Sequence, residues 1–261
     1  MSSHMRFCVL YLGRMDFKRK HLLANGDGEE NIRCLVPAIL IEHPVLGNIL
    51  YDTGNSPLSS TVYSEYTNEN FPVTEFVSVE SALKEKGIAP SDIDLLIISH
   101  LHFDHAGGMA YFKGTKAAKN VYIAEGDLRN AYYDALTRGG ISPYCKESFD
   151  LEGIQFHPIS GETALAEDLI LFPQECHTPG VTGLILKTQN NGNVIATSDT
   201  IYTRYSFENQ VPPGGDNAES KKDFFKNLER VKRLQRKYDA ALFFGHDEEQ
   251  IKEWSNRGWM D

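Results

Sequence analysis

The chain has 261 residues, of which 41% are hydrophobic and 24% are charged, a composition that excludes the disordered and collagen-like classes. Its net charge of −10 argues against nucleic acid or an anionic membrane as the main partner. No apolar run reaches the roughly 18 residues of a membrane span, and no signal peptide is visible, so we expect a cytoplasmic protein. The four cysteines lack CxxC spacing, which predicts reduced thiols.

Residues 1–4 are typical of an expression-tag remnant, so His4 is not a candidate ligand. In the first half of the chain, apolar runs predict five strands: Phe7–Leu12, Cys34–Ile41, Asn48–Tyr51, Asp94–Ser99 and Val121–Ala124. A helix is predicted over Val79–Gly87, with Ser78 as its N-cap and Gly87 as its stop, and a second over Asp127–Leu136.

The second half predicts four more strands: Leu169–Phe172, Leu184–Lys187, Val194–Thr197 and Ala240–Phe244. Asn190–Asn193 has the composition of a hairpin turn between two of them. A helix over Lys221–Lys237 places its apolar residues on one face. Two β-rich halves with helices predict an α+β fold of two packed sheets under outer helices, and no linker divides residues 5–261, so we expect one domain.

Four potential metal ligands lie within six residues: His100, His102, Asp104 and His105. If the preceding strand continues through His102, then His100 and His102 project to the same side of it. A bend would then present Asp104 and His105 from another direction. This arrangement suits two adjacent metal ions better than one.

Three further candidates each lie at or just past a predicted strand end, where a sheet can hold a ligand on a short loop. His177 lies in a Cys-His-Thr-Pro-Gly turn, Asp199 follows Val194–Thr197, and His246 follows Ala240–Phe244. Alone, His177 or His246 would more often be an ordinary hydrogen-bonded histidine. Together with the cluster at His100–His105 they favour a metal centre.

At these residues the sequence resembles the metallo-β-lactamase superfamily, whose HxHxDH motif is matched by His100, His102, Asp104 and His105. Within it, the chain is most similar to N-acyl-homoserine lactone lactonases, through the segments 99–108, 199–202 and 243–250. The resemblance implies an αββα sandwich. It also implies two divalent metal ions, zinc first, with iron, manganese and cobalt as alternatives.

The resemblance assigns the ligands residue by residue: His100, His102 and His177 to one metal, Asp104, His105 and His246 to the second, and Asp199 as the bridge. One departure concerns the His177 turn. Cys176 replaces the family's usual glycine, a change that bears on the local backbone geometry, and Val181 replaces a second histidine. Cys176 is itself an alternative ligand.

Such a centre predicts attack of a metal-bridging hydroxide on an ester or lactone carbonyl. The resemblance gives Tyr202 the role of stabilising the oxyanion, the alternative being a packing residue, and Asp104 that of relaying a proton to the leaving alkoxide. Asp52 either orients a ligand histidine or only shapes its turn.

We therefore expect a lactonase that opens N-acyl-homoserine lactones and so degrades quorum signals. The alternatives are a hydrolase of another small lactone, ester or thioester, as in glyoxalase II, and a non-catalytic metal-binding sensor. The expected partner is a small lactone, with neither nucleic acid nor membrane, and the sequence leaves both a monomer and a homodimer open. Aromatic residues between the elements would line an acyl pocket or form the core of a lid: Tyr63, Tyr66, Phe71, Phe76, Tyr132, Tyr133 and Tyr144.

Overall fold

Two mixed β-sheets lie at the centre of the computed structural model, which describes residues 4–26, 28–214 and 223–261. The seven-stranded sheet has the order β4-β1-β2-β3-β5-β6-β7. Its strands are β1 (Arg6–Lys18), β2 (Asn31–His43), β3 (Gly47–Tyr51), β4 (Val73–Phe76), β5 (Leu95–Ile97), β6 (Val121–Ala124) and β7 (Phe156–Ile159). Strands β3, β5, β6 and β7 run parallel, whereas β1 is antiparallel to both of its neighbours.

The five-stranded sheet has the order β12-β11-β10-β9-β8. Its strands are β8 (Thr163–Ala166), β9 (Leu169–Cys176), β10 (Thr178–Leu186), β11 (Asn193–Ser198) and β12 (Ala240–Phe244). The pair β10–β11 is antiparallel, as the predicted turn at Asn190–Asn193 requires, and β11–β12 is parallel.

Nine α-helices join or cover these strands in the described part of the chain. They are α1 (Ser59–Val62), α2 (Glu65–Asn70), α3 (Val79–Glu85), α4 (Phe103–Ala106), α5 (Glu125–Thr137), α6 (Lys146–Phe149), α7 (Arg204–Asn209), α8 (Phe224–Tyr238) and α9 (Glu248–Ser255). The predicted ends of α3 are confirmed: the Ser78 hydroxyl accepts from the Ser81 amide at 3.0 Å, and Gly87 has a left-handed φ of 74°.

Alternating side chains divide the core into layers. Along β1, Cys8 and Leu10 contact the core beneath α3, whereas Phe7 and Val9 contact the second sheet. This period of two lets one strand serve both faces of its sheet. A third cluster packs the apolar face of α8 against the outer face of the five-stranded sheet, so the predicted αββα sandwich is confirmed.

Most predicted elements are present, with shifted ends. Strands β1 and β2 are longer than predicted, because they pair from Arg6–Glu42 to Lys18–Asn31. The predicted helix Lys221–Lys237 is observed as α8, and Lys221 lies outside the described residues. The short strands β4, β7 and β8 were not predicted.

Two further expectations can be compared with the fold. Among the described residues, no helix combines the length and apolar character needed to cross a membrane. None of the four cysteines forms a disulfide, as predicted, and Cys8, Cys34 and Cys176 are buried. That residues 5–261 form a single domain and that residues 1–4 are a tag remnant stay predictions.

Candidate metal centre

The predicted ligands lie at the carboxyl ends of strands from both sheets. The segment His100–His105 follows β5, His177 separates β9 from β10, Asp199 follows β11, and His246 follows β12. The strand predicted over Asp94–Ser99 does not continue through His102, since β5 ends at Ile97. His100 and His102 lie on a loop instead, and the short helix α4 presents Asp104 and His105. The structure nevertheless brings all seven predicted ligands together.

His100, His102 and His177 form what we call the histidine cluster. Nε2 of His177 lies 3.1 Å from Nε2 of His100 and 2.9 Å from Nδ1 of His102. Tetrahedral nitrogen ligands at about 2.0–2.1 Å from zinc would lie roughly 3.3 Å apart, which is close to this spacing. Three ring nitrogens turned toward one point are a donor set suited to a divalent cation.

Asp104, His105 and His246 form the second group, which we call the mixed cluster. Oδ2 of Asp104 lies 3.5 Å from Nε2 of His105 and 3.5 Å from Nε2 of His246. All three side chains are buried. This group also combines the imidazole and carboxylate ligands that divalent metals take in proteins.

Asp199 lies between the clusters and directs one oxygen to each. Its Oδ1 lies 3.1 Å from Nε2 of His246 and 3.4 Å from Nε2 of His105. Its Oδ2 lies 3.4 Å from Nε2 of His177 and 3.8 Å from Nε2 of His100. This is the geometry expected of a carboxylate shared by two ions.

The two clusters differ in their electrostatics. Burial, followed by repulsion between neighbouring imidazoles, lowers the pKa of His100 and of His102 well below the usual 6.5. Burial also lowers the pKa of His105, but Asp104, Asp199 and Asp52 outweigh it and raise that pKa well above 6.5. In the metal-free protein, neutral imidazoles therefore face carboxylate-paired ones across Asp199.

The side of the centre that faces the mixed cluster contains two atoms that need a partner. Nε2 of His105 and Oδ1 of Asp199 are buried and have no hydrogen-bond partner. Buried polar atoms in folded proteins are almost always hydrogen-bonded, so such a pair is unusual. A bound cation would satisfy both, and the residues therefore fit the divalent metal ions that the ligand pattern implies.

The ring nitrogens that face away from the clusters are held by neighbouring groups. Nδ1 of His105 lies 2.9 Å from Oδ2 of Asp52, whose Oδ1 accepts the Ser99 amide at 2.7 Å. Nδ1 of His246 lies 2.8 Å from the Leu35 carbonyl oxygen. Such contacts fix the ring orientation and the tautomer of metal-binding histidines. Asp52 thus contacts a predicted ligand, as its orienting role requires.

Three non-glycine residues at the centre have left-handed backbones: Asp52 with φ 64°, His177 with φ 69° and Ser198 with φ 47°. Conformations of this kind concentrate at functional sites, because the surrounding structure must impose them. At the turn that departs from the family pattern it is His177 that is left-handed, whereas Cys176 ends strand β9 and packs in the core beneath α8. Cys176 is therefore not placed among the candidate ligands.

Tyr202 contacts the histidine cluster from the side. Its hydroxyl lies 2.8 Å from Nδ1 of His177, the nitrogen that faces away from the cluster. Burial raises the pKa of Tyr202 well above 10, so the hydroxyl keeps its proton. A hydroxyl that accepts from the imidazole N–H can still donate its own proton to another oxygen.

Comparison with known proteins identifies the family. The family model described as the metallo-β-lactamase superfamily matches residues 32–246, the segment that contains all seven candidate ligands. The chain belongs to the metallo-β-lactamase superfamily.

Within the metallo-β-lactamase superfamily, the similarity extends to lactonases. The chain is 32% identical to an N-acyl homoserine lactonase of a Bacillus species, over 83% of this chain and 86% of that protein. It is 24% identical to the N-acyl homoserine lactonase AttM of Rhizobium radiobacter, over 97% and 96% of the two chains.

Solved structures show the same relationship. A crystal structure of a quorum-quenching N-acyl homoserine lactone lactonase aligns with a TM-score of 0.78 and 30% identity, over 97% of both chains. An N-acyl homoserine lactone hydrolase with the product N-hexanoyl-L-homoserine at its catalytic metal center aligns with a TM-score of 0.78 and 28% identity, over 97% of both chains.

Sequence reasoning missed one buried carboxylate beside the site of this superfamily member. Asp127, on α5, accepts the Leu101 amide at 2.8 Å and the Tyr144 hydroxyl at 2.8 Å. Burial raises its pKa to about 7, against the hydrogen bonds that lower it. A polar residue on the buried face of a predicted helix was the available signal.

Four of the seven aromatic residues expected to line a pocket fall into two groups, one packed and one exposed. Tyr63 and Phe71 pack around Phe103, with ring centroids 5.0 and 6.0 Å from it. Tyr66 and Tyr133 are exposed. The first pair contributes to the core beside α4, so at least these two rings serve packing.

Proposed function

We propose that this protein opens the ring of N-acyl-homoserine lactones by metal-dependent hydrolysis, which would make it a quorum-quenching lactonase. The carrying observation is that two clusters of ligands share Asp199 in a chain 32% identical to an N-acyl homoserine lactonase over 86% of that enzyme. Neither a chance histidine cluster nor a packing motif explains that geometry in such a relative.

Two metal ions form part of the proposal. His100, His102 and His177 would hold one, and Asp104, His105 and His246 would hold the other, with Asp199 between them. Zinc is the proposed ion because imidazole and carboxylate ligands suit it, and iron, manganese and cobalt are the alternatives. When bound, the ions would supply the Lewis acid that polarises the ester carbonyl and activates a water molecule.

The side chains of this protein then carry the remaining steps. The Tyr202 hydroxyl accepts from Nδ1–H of His177 and donates a hydrogen bond to the carbonyl oxygen as negative charge develops there. Water adds to the carbonyl carbon, and the ring C–O bond breaks. The Asp104 carboxylate receives the proton that water loses and returns it to the leaving alkoxide.

Side-chain exposure indicates the side from which substrate enters. The side chains of His100 and His246 are 0% and 2% exposed, whereas that of His177 is 11% exposed. We infer that substrate reaches the centre over His177 and Tyr202, while the opposite side stays closed to bulk water. The acidic net charge favours a small molecule over nucleic acid as the partner.

Metal analysis combined with proton release on a panel of substrates tests the proposal. The purified protein should contain close to two divalent ions per chain and should release protons from N-acyl-homoserine lactones of several acyl lengths. A simple lactone, an ester and a thioester complete the panel. Metal-loaded protein that cleaved the thioester and no lactone would contradict the proposal. The cytoplasmic location stays a prediction.

A further inference from the structure

Helix α5 carries three polar residues on the face turned to the protein interior. Asp127, Asn130 and Asp134 are spaced i, i+3 and i+7, which places them on one side of the helix. Asp127 is 0% exposed, and Asp134 is also buried. A carboxylate buried this completely persists only where the surrounding groups bind it.

Asp127 lies against both loops that present the histidine cluster. Its Oδ2 accepts the amide of Leu101, the residue between His100 and His102, at 2.8 Å. Its own backbone meets the turn after His177, where a Cβ atom on Gly180 would lie 2.9 Å from the Asp127 amide nitrogen. One residue therefore contacts the first loop through its carboxylate and the second loop through its backbone.

The backbones meet too closely at this point for the contact to shift. A Cβ atom on Gly126 would lie 2.5 Å from the Pro179 carbonyl oxygen. A Cβ atom on Gly180 would lie 2.8 Å from Cβ of Ala124. The first turn of α5 thus packs directly against the turn after His177, which fixes Asp127 relative to that loop.

The second oxygen of Asp127 reaches the cluster through an aromatic ring. The Tyr144 hydroxyl donates to Oδ1 of Asp127 at 2.8 Å and accepts from Nδ2 of Asn130 at 3.1 Å. The ring of Tyr144 packs edge-on against the imidazole of His102, with centroids 4.5 Å apart. The network therefore contacts one histidine directly and the loops of all three.

We propose that Asp127 is a positioning residue that sets the metal affinity of the histidine cluster by holding the loop of His100 and His102 against the turn after His177. The proposal rests on the proposed function, since it presumes two metal ions. Asp127 contacts neither the mixed cluster nor the bond between His105 and Asp52. Its removal therefore lowers the affinity for one of the two ions and leaves the affinity for the other unchanged.

Asp127→Asn keeps the size of the side chain and removes its charge and one of its acceptors. Asp134→Asn is the matched control, because Asp134 is a buried carboxylate of the same helix whose bonds go to Ser142 and Arg138. Competition of zinc with a chelator measures the two dissociation constants. Since partners of this kind typically contribute 10- to 100-fold in affinity, we expect one constant to weaken by about that factor in Asp127→Asn and neither in Asp134→Asn.

A second variant separates positioning from folding. Tyr144→Phe keeps the ring that packs against His102 and removes only the hydroxyl that donates to Oδ1 of Asp127, so it should weaken binding of the same ion by a smaller factor. Circular dichroism and thermal melting of the metal-free proteins report on the fold. If Asp127→Asn fails to fold, Tyr144→Phe decides the question.

The proposal would be overturned if Asp127→Asn bound each ion as tightly as wild type and only its melting temperature were reduced. It would also be overturned if the variant bound both ions more weakly by the same factor. Wild-type protein that bound fewer than two ions would instead refute the proposed metal centre. The two failures are therefore distinguishable without measuring activity.

Discussion

The two halves of the candidate centre are organised by different forces. In the histidine cluster, burial lowers the pKa of each imidazole. The hydrogen bond from the Leu101 amide to Asp127 fixes the loop of His100 and His102. In the mixed cluster, attraction to carboxylates overcomes burial at His105, and Asp52 binds its ring directly. One half is thus ordered mainly by packing and backbone hydrogen bonds, the other mainly by charge.

The difference shows that similar ligands can be held by unlike supports. Asp52 reaches its histidine directly, whereas Asp127 acts on the peptide bonds around His100 and His102. A substitution in one half should therefore leave the metal affinity of the other half unchanged. Asp199, which faces both halves, is the residue through which they share a site.

Removal of a ligand from either half should give the largest effect. His102→Ala and His246→Ala should each lower the metal content by about one ion and the lactonase rate by more than about 100-fold, because a ligand contributes more than its outer partners do. Metal analysis and initial rates check this. His157→Ala is the control, since His157 stacks on Tyr122 away from the centre. Full metal occupancy in both ligand variants would disprove the assignment.

Tyr202→Phe should come next. Loss of one donor to a developing oxyanion typically lowers the rate by about 100-fold or more. We expect kcat to fall by about that factor, with KM little changed and the metal content unchanged, because the phenyl ring keeps the packing on His177 and His246. A variant with wild-type kcat would assign Tyr202 to packing alone.

Asp52→Asn tests the mixed half in the way that Asp127→Asn tests the histidine half. The amide keeps the shape of the side chain but loses the charge that faces Nδ1 of His105. Affinity for one ion should fall by about 10- to 100-fold, and the ion lost should be the one that Asp127→Asn retains. Loss of the same ion in both variants would remove the distinction between the halves.

The smallest effect should come from Asp94, a carboxylate at the far end of the strand pair β3–β5. Burial tends to raise its pKa, but hydrogen bonds from Lys116 and from the Asn48 amide outweigh it and leave the pKa below the ordinary 3.8. Its ionised form therefore stabilises the fold above pH 3.8, and that contribution is lost as the pH falls below this value.

Asp94→Asn should accordingly lower the free energy of unfolding by about 0.5–1 kcal/mol at pH 7, the size typical of a partly exposed ion pair. Denaturant titration at pH 7 and at pH 3 measures the difference, which should shrink at the lower pH. Metal content and rate should match wild type, since Asp94 lies outside the centre. A deficit that grew in acid would contradict the sign of the pKa shift.

Much of the site could be predicted from sequence because its residues lie in short patterns that can be recognised within a few positions of the chain. The four candidate ligands His100, His102, Asp104 and His105 are close neighbours in the chain, and the candidates His177, Asp199 and His246 each follow an apolar strand. The course of the chain through His102 could not be predicted, because an extended strand and a loop leading into helix α4 fit the same letters.

The parts that sequence missed depend on contacts between distant segments. In the sequence, Asp127 is one of several polar residues of a predicted helix. Its role follows from its bonds to the Leu101 amide and the Tyr144 hydroxyl, which lie 26 and 17 residues away in the chain. Strand β4 has one partly buried residue followed by three exposed ones, and it exists because it pairs with the end of β1. Neither feature has a pattern of its own.

The three left-handed residues Asp52, His177 and Ser198 bear on how this protein could be made more robust. Each such conformation costs of the order of 1–3 kcal/mol in folding. Glycine would adopt these backbones without strain, but it lacks the side chains through which Asp52 and His177 contribute to the centre. The glycine substitutions that relieve most strain therefore lie at the candidate centre, where they would raise stability and remove function together. Ser198, whose side chain is not a candidate ligand, is the position where the two demands conflict least.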